Sequence, residues 1–182
     1  MRPKTAANFQ WSLSISHISL SHNTRPGQDR LVHSYLKDHH VATLATCGSD
    51  GPWAAAVFYV NDGDTIFFLS SPTSRHCRNL EQDPRVTVTI QEDYSDWLEI
   101  KGVQIEGVAS EISGAEEEKA RRLYGQKFPV VGLLAQAPSA IVKALAKVRW
   151  YRIVPNRLYF IDNSLGLGNR DEIQLPLTDN GA

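Results

Sequence analysis

Cysteine is scarce in this chain: Cys47 and Cys77 are the only two among 182 residues. Neither sits in a CxxC or a Cys/His metal spacing, and a chain of this length can build a core that needs no disulfide. A reduced, cytoplasmic setting is the simpler expectation. An excess of either charge is lacking as well. Lys plus Arg is 19 and Asp plus Glu is 20, a formal net charge of −1. That removes any global argument for nucleic acid or an anionic membrane as a partner, so an anion site must be local. No run approaches the ~20 apolar residues of a membrane span. The chain has no GxSxG nucleophile signature. Its six histidines (His17, His22, His33, His39, His40 and His76) supply no third-ligand pattern for zinc, and the rings of the adjacent pair His39-His40 diverge on a helix or a strand. No metal site is expected. Gly166-Leu-Gly168 lacks the βαβ context of a phosphate loop, and Glu116-Glu-Glu118 reads as a solvated first helical turn.

What is present is a succession of short strands with helices between them. Leu31, Val32, Tyr35 and Leu36 share one face of a helix over Gln28 to His39. Strands follow at Val41–Thr46 and Trp53–Val60, separated by a Cys47-Gly-Ser-Asp-Gly-Pro52 turn, and at Thr65–Leu69 after the hairpin turn Asn61-Asp-Gly-Asp64. A short helix ends before Pro84, because Asp83 is pushed out of α geometry. Arg85–Ile90 alternates with period two. A long β pattern runs from Trp97 to Ile112, with Gly102 and Gly107 suggesting bulges or a bend. Ala115 to Lys127 reads as a helix and Val130 to Lys147 as mostly helical. Trp150–Val154 and Arg157–Ile161 read as two strands either side of Pro155-Asn156. Short strands with hairpin turns argue for an antiparallel barrel of the α+β kind, mainly β, and against a parallel sheet. The expected layout is an arm over 1–27, one domain over 28–165 with a helical insert at 115–147, and a tail over 166–182. Within the arm, Trp11–Leu20 alternates apolar residues with Ser or His and lacks the continuous apolar core of a signal peptide. It is an added edge strand, a loose arm, or sequence upstream of the true start, and no function is assigned to it.

The stretch with the densest chemistry is Ser70-Ser-Pro-Thr-Ser-Arg-His-Cys-Arg-Asn-Leu-Glu-Gln-Asp-Pro84. Ser71 suits an N-cap and Pro72 the first helical position. Free backbone N–H groups, the hydroxyls of Thr73 and Ser74 and the Arg75 guanidinium would then converge where the helix dipole favours an anion. The same residues also make an ordinary capped helix with an exposed arginine.

The order of strands around this stretch, with Ser74-Arg75-His76, Asn79-Leu80 and Asp83-Pro84-Arg85-Val86, resembles the pyridoxamine phosphate oxidase-like FMN-binding split-barrel superfamily. The long strand Ile100-Lys-Gly-Val-Gln-Ile-Glu-Gly-Val108 fits it too. The match covers roughly residues 28–112 and, more loosely, 148–162. Phe128-Pro-Val130 and Phe160-Ile-Asp-Asn-Ser-Leu-Gly-Leu-Gly168 look like a small, poorly characterised bacterial branch.

The resemblance implies a split antiparallel β-barrel that binds FMN. Ser74, Arg75 and His76 would contact the phosphate, with Ser70 and Thr73 as helpers. The family frequently has Lys where this chain has His76. A neutral histidine donates one hydrogen bond and adds charge only when protonated, so binding would weaken as pH rises past its pKa. The ring would lie along Ala54, Ala55, Ala56 and Val57, whose small side chains let it approach the backbone; small residues packing beneath another element would read the same way. Gln104 stands where the partner subunit often supplies a polar contact, and it is equally an exposed strand residue. The resemblance further implies a homodimer with the cofactor at the interface. More aromatic residues (Trp53, Trp97, Trp150, Tyr151, Tyr159, Phe160) than one small core requires, and the unpaired edges of an open barrel, agree with that.

The expected activity is electron or hydride transfer between a reductant and a small-molecule substrate. The arginine-and-histidine motif of true pyridoxamine phosphate oxidases is replaced by Asn163-Ser-Leu-Gly-Leu-Gly-Asn-Arg170, so vitamin B6 oxidation is not expected. Two other readings stay open: a flavin or heme carrier or sensor without turnover, and a deazaflavin-dependent reductase.

Overall fold

The computed structural model describes residues 27–129 and 147–176. The expected helix over 130–147 lies almost wholly outside the described residues, as does nearly all of the arm over 1–27. The elements run α1 (Gln28–Asp38), β1 (Val41–Gly48), β2 (Gly51–Asp62), β3 (Thr65–Ser70), α2 (Arg75–Gln82), β4 (Arg85–Gln91), β5 (Lys101–Ile112), α3 (Ala115–Lys127), β6 (Arg149–Asp162) and β7 (Arg170–Ile173). All strand pairs are antiparallel, in the order β3-β2-β1-β4-β5-β6-β7, and β3 also pairs with β6. That last pairing closes a six-stranded split β-barrel, leaving β7 as an appended strand. The fold class is mainly β with helices, as the strand spacing predicts.

Strand alternation explains how the layers sort. On β2 and β3, Tyr59, Ile66 and Phe68 belong to the barrel core together with Leu44, Val88, Ile105, Ile153 and Leu158. Helix α1 packs Val32 and Leu36 into the same core. The alternate residues Val60 and Phe67 face a second cluster, with Trp150 and Ile112, that Ala120 and Tyr124 of α3 cover. The opposite-facing residues of β2, β1, β4 and β5 have no such cluster over them among the described residues: Ala54, Ala56, Ala45 and Thr87 are exposed, and Phe58, 57% exposed, meets Phe128 edge-on.

Three local expectations need correction. The long strand begins at Lys101 and not at Trp97. Buried Asn163 donates from Nδ2 to the Trp97 carbonyl at 2.8 Å, holding that residue in a loop with its ring 75% exposed. The two strands expected around Pro155 are one strand, β6. Pairing passes from Glu106↔Arg157 to Gly107↔Pro155, so Asn156 is an extra bulge residue beside a proline that has no N–H to give the ladder. Gly107 is required there, because a Cβ would lie 2.6 Å from the Val154 carbonyl oxygen. Finally, the stretch expected as a C-terminal tail contributes β7, which pairs Leu158–Ile161 of β6.

Candidate functional site

The chain between β3 and α2 turns on itself: Ser74 N–H donates to the Ser71 carbonyl at 2.9 Å. This moves the cap. Ser74, in extended conformation, is the N-cap and its Oγ accepts from the Cys77 N–H at 3.4 Å, so the helix starts at Arg75, three residues beyond the expected Pro72. Ser71 instead bonds Thr73, hydroxyl to hydroxyl at 2.9 Å.

Three of the expected residues come together. His76 Nε2 lies 2.7 Å from Ser70 Oγ and 3.1 Å from Ser74 Oγ. The ring is 9% exposed, and burial pushes its pKa below the ordinary histidine value, which keeps it neutral. Thr73 is exposed beside this group. Arg75 goes elsewhere: its Nη2 donates to the Asp50 carbonyl at 3.0 Å, and its guanidinium lies 4.6 Å over the Trp53 ring. Its Nε is buried and has no hydrogen-bond partner among the described residues. Arg78 donates back to the Thr73 carbonyl at 3.0 Å, so two guanidiniums flank the turn. Asn79 Nδ2 bonds Thr46 Oγ1 at 3.1 Å, and a side chain at Gly48 would strike Asn79. Helix α2 is thus held against the β1–β2 hairpin. The sequence reading names Trp53 only as an aromatic and Asp50 only within a turn, and links neither to Arg75. The hairpin register that returns Trp53 opposite Thr46 is the signal that could have found them.

Alternation divides the four β2 residues. Ala54 and Ala56 are exposed on the outer face, while Ala55 is half-buried and Val57 is buried on the other side. Gln104 shares the outer row with Ala56, through the register Ala56↔Thr43, Thr43↔Thr89 and Thr89↔Gln104. A hollow of about 280 Å³ opens along this row, lined by Thr43, Ala45, Thr89, Gln104, Tyr159 and Arg170 among others. Arg170 donates to Gln104 Oε1 at 3.3 Å and stacks 4.5 Å over Tyr159. A second hollow of about 460 Å³ adjoins it, with Ala45, Thr87 and Glu106 common to both and Cys47, Pro52 and Arg85 on its far side. The candidate residues therefore fall in two places: a polar turn at the start of α2 and a small-residue face on the outside of β2, β1, β4 and β5.

Residues 29–162 match the sequence family described as pyridoxamine 5'-phosphate oxidase. The chain belongs to that family. Among its relatives is a UPF0306 protein of Klebsiella pneumoniae, 33% identical over 138 residues, covering 75% of this chain and 86% of the relative. The heme binding protein of Mycobacterium smegmatis is similar in structure, with a TM-score of 0.64 and 26% identity over 83% of this chain, which spans 59% of that one. The heme storage protein of Vibrio cholerae has a TM-score of 0.58 at 23% identity, covering 71% of this chain and 91% of its own, a likeness of fold. Among the described residues no helix is long and apolar enough to cross a membrane.

Proposed function

We propose that this chain binds FMN as a homodimer and serves as an oxidoreductase on a small molecule. The observation that carries the reading is the buried Arg75 Nε, an N–H donor without a partner among the described residues, carried by the residue between Ser74 and His76 of the Ser70–His76–Ser74 hydroxyl and imidazole group. A buried donor left unpaired costs about 1–3 kcal/mol, and an anionic oxygen is the acceptor such an arrangement favours. Ser70, Thr73, Ser74, Arg75 and His76 would hold the phosphate. The backbone of Ala54–Val57 would meet the polar edge of the ring, with the exposed Ala54 and Ala56 leaving room for a flat group. Gln104 would serve the partner's cofactor across a two-fold interface, where one face meets its own copy.

The flavin would supply hydride and electron transfer; the residues of this chain would bind it, orient it and limit access to it. Residues that hold the cofactor by hydrogen bonds and backbone need no acid–base constellation of their own, which agrees with the chemistry of the donor set. A second reading is heme carriage, favoured by the similarity to the Mycobacterium smegmatis protein, whose name states heme binding.

Ligand uptake by the purified full chain tests the proposal. Saturable FMN binding with flavin absorption bands, followed by anaerobic bleaching with NADH or NADPH, is the expected result. Flavin that neither nucleotide bleaches supports a carrier. A Soret band with hemin and no uptake of FMN supports the heme reading, and uptake of neither rejects both.

A further inference from the structure

Between α1, α3 and the β2–β3 hairpin lies a cleft of about 430 Å³ that shares no lining residue with the two hollows of the outer face. Its volume is within the range of small-molecule sites. Val60 and Leu123 give it an apolar floor, and Lys37, Asn61, Gln126 and Lys127 supply polar groups. Lys127 is the unusual member. It is half-buried, its Nζ donates to the Leu36 carbonyl at 3.0 Å, and it lies 4.2 Å over the Tyr59 ring. Among the described residues no carboxylate lies within 4.0 Å of that ammonium. Among the same residues Lys37, exposed on α1, has no ion pair either.

The other charges nearby do not answer Lys127. His33 Nε2 is tied to Asp64 Oδ1 at 2.9 Å. Asp38, the last residue of α1, accepts from Ser34 Oγ at 3.2 Å and acts on Lys127 only from beyond ion-pair distance. Burial outweighs that field and draws the Lys127 pKa down to about 8, the behaviour of an ammonium short of a counter-ion. A perturbed lysine in a cleft is a recognised mark of a functional site.

We propose that this cleft is a second ligand site, binding a small carboxylate with an apolar body, its carboxylate between Lys127 and Lys37 and its body over Val60 and Leu123. Lys127 carries more of the affinity than Lys37, because a charge-assisted hydrogen bond strengthens out of water. The site is independent of the flavin reading and stands or falls separately from it.

Fluorine NMR on the full chain with 4-fluorobenzoate tests it, using 4-fluorobenzamide as the neutral isostere. The expected result is saturable benzoate binding, with the amide weaker by about tenfold or more, the worth of a charge-assisted hydrogen bond. Lys127→Met should weaken benzoate to a similar extent. Because Lys127 also ties α3 to the end of α1, Gln126→Trp, an exposed position, is the second variant: it fills the cleft, leaves Lys127 in place and should abolish binding. Absence of saturable binding to the wild type, equal binding of acid and amide, or undiminished binding by folded Gln126→Trp would each overturn the proposal.

Discussion

Replacing Arg75 with alanine separates two things the guanidinium does. In the free protein it stacks on Trp53 and donates one hydrogen bond to the Asp50 carbonyl, both at exposed positions. An exposed cation–π contact is worth about 0.5–1 kcal/mol and a hydrogen bond about 0.5–1.5 kcal/mol. Against these stands the buried Nε without a partner, whose removal recovers roughly 1 kcal/mol or more of desolvation. The two nearly offset each other, so Arg75→Ala should change stability by no more than about 1 kcal/mol, or a few degrees in Tm. FMN affinity should behave differently. Loss of a charged donor to phosphate costs at least ~1.5 kcal/mol, about tenfold or more in Kd. The assay is a fluorescence-quenching titration with FMN beside a thermal melt of the same preparations. A folded variant that binds FMN as tightly as the wild type would refute the assignment of Arg75. A variant that loses affinity only because it has lost several kcal/mol of stability would refute the offset.

Three further outcomes are expected. His76 is held neutral by burial, so its folded-state pKa lies below the unfolded value near 6.5. The unfolded chain takes up the proton first; stability is full above about pH 6.5 and falls as pH drops below it. His76→Gln should flatten that part of the urea-midpoint profile, and an unchanged slope would assign the loss to other groups. Gly107→Ala places a Cβ against the Val154 carbonyl oxygen and should destabilise by ~1–3 kcal/mol through overpacking, read from urea unfolding; a neutral effect would contradict the tightness of the bulge. Ala56→Glu puts a charge on the open outer face without touching the core. Sedimentation should show a dimer for the wild type and a monomer for the variant; a dimer for both would exclude this face as the interface.

Much of the barrel is legible in the sequence because its signals are local. Asn61-Asp-Gly-Asp64 dictates the β2–β3 hairpin, and Val86, Val88 and Ile90 alternate into the core as their spacing predicts. The errors fall where a distant contact overrides a local rule. Trp97 and Leu98 read as strand, yet the Trp97 carbonyl is captured by a side chain 66 positions away. Pro155 reads as a strand end, yet a bulge opposite Gly107 carries β6 through it. Strand β7 is only four residues long, follows a Gly-rich turn and has no periodicity of its own. The sequence reading puts the cap at Ser71; Ser74 is chemically alike, and the turn that bonds Ser74 N–H to the Ser71 carbonyl moves the cap there. The grouping of Ser70, Ser74 and His76 follows from short sequence spacing. The diversion of Arg75 onto Trp53 does not, since it depends on the hairpin bringing β2 back beside α2.

That a phosphate at the start of α2 anchors a flavin is checked by comparing FMN with riboflavin. The two differ only in the group that Ser70, Ser74, Arg75 and His76 would hold. Equilibrium titration of the full chain should give FMN a Kd lower by at least one hundredfold, roughly two charge-assisted hydrogen bonds. Equal affinities for FMN and riboflavin, or binding of neither, would contradict it.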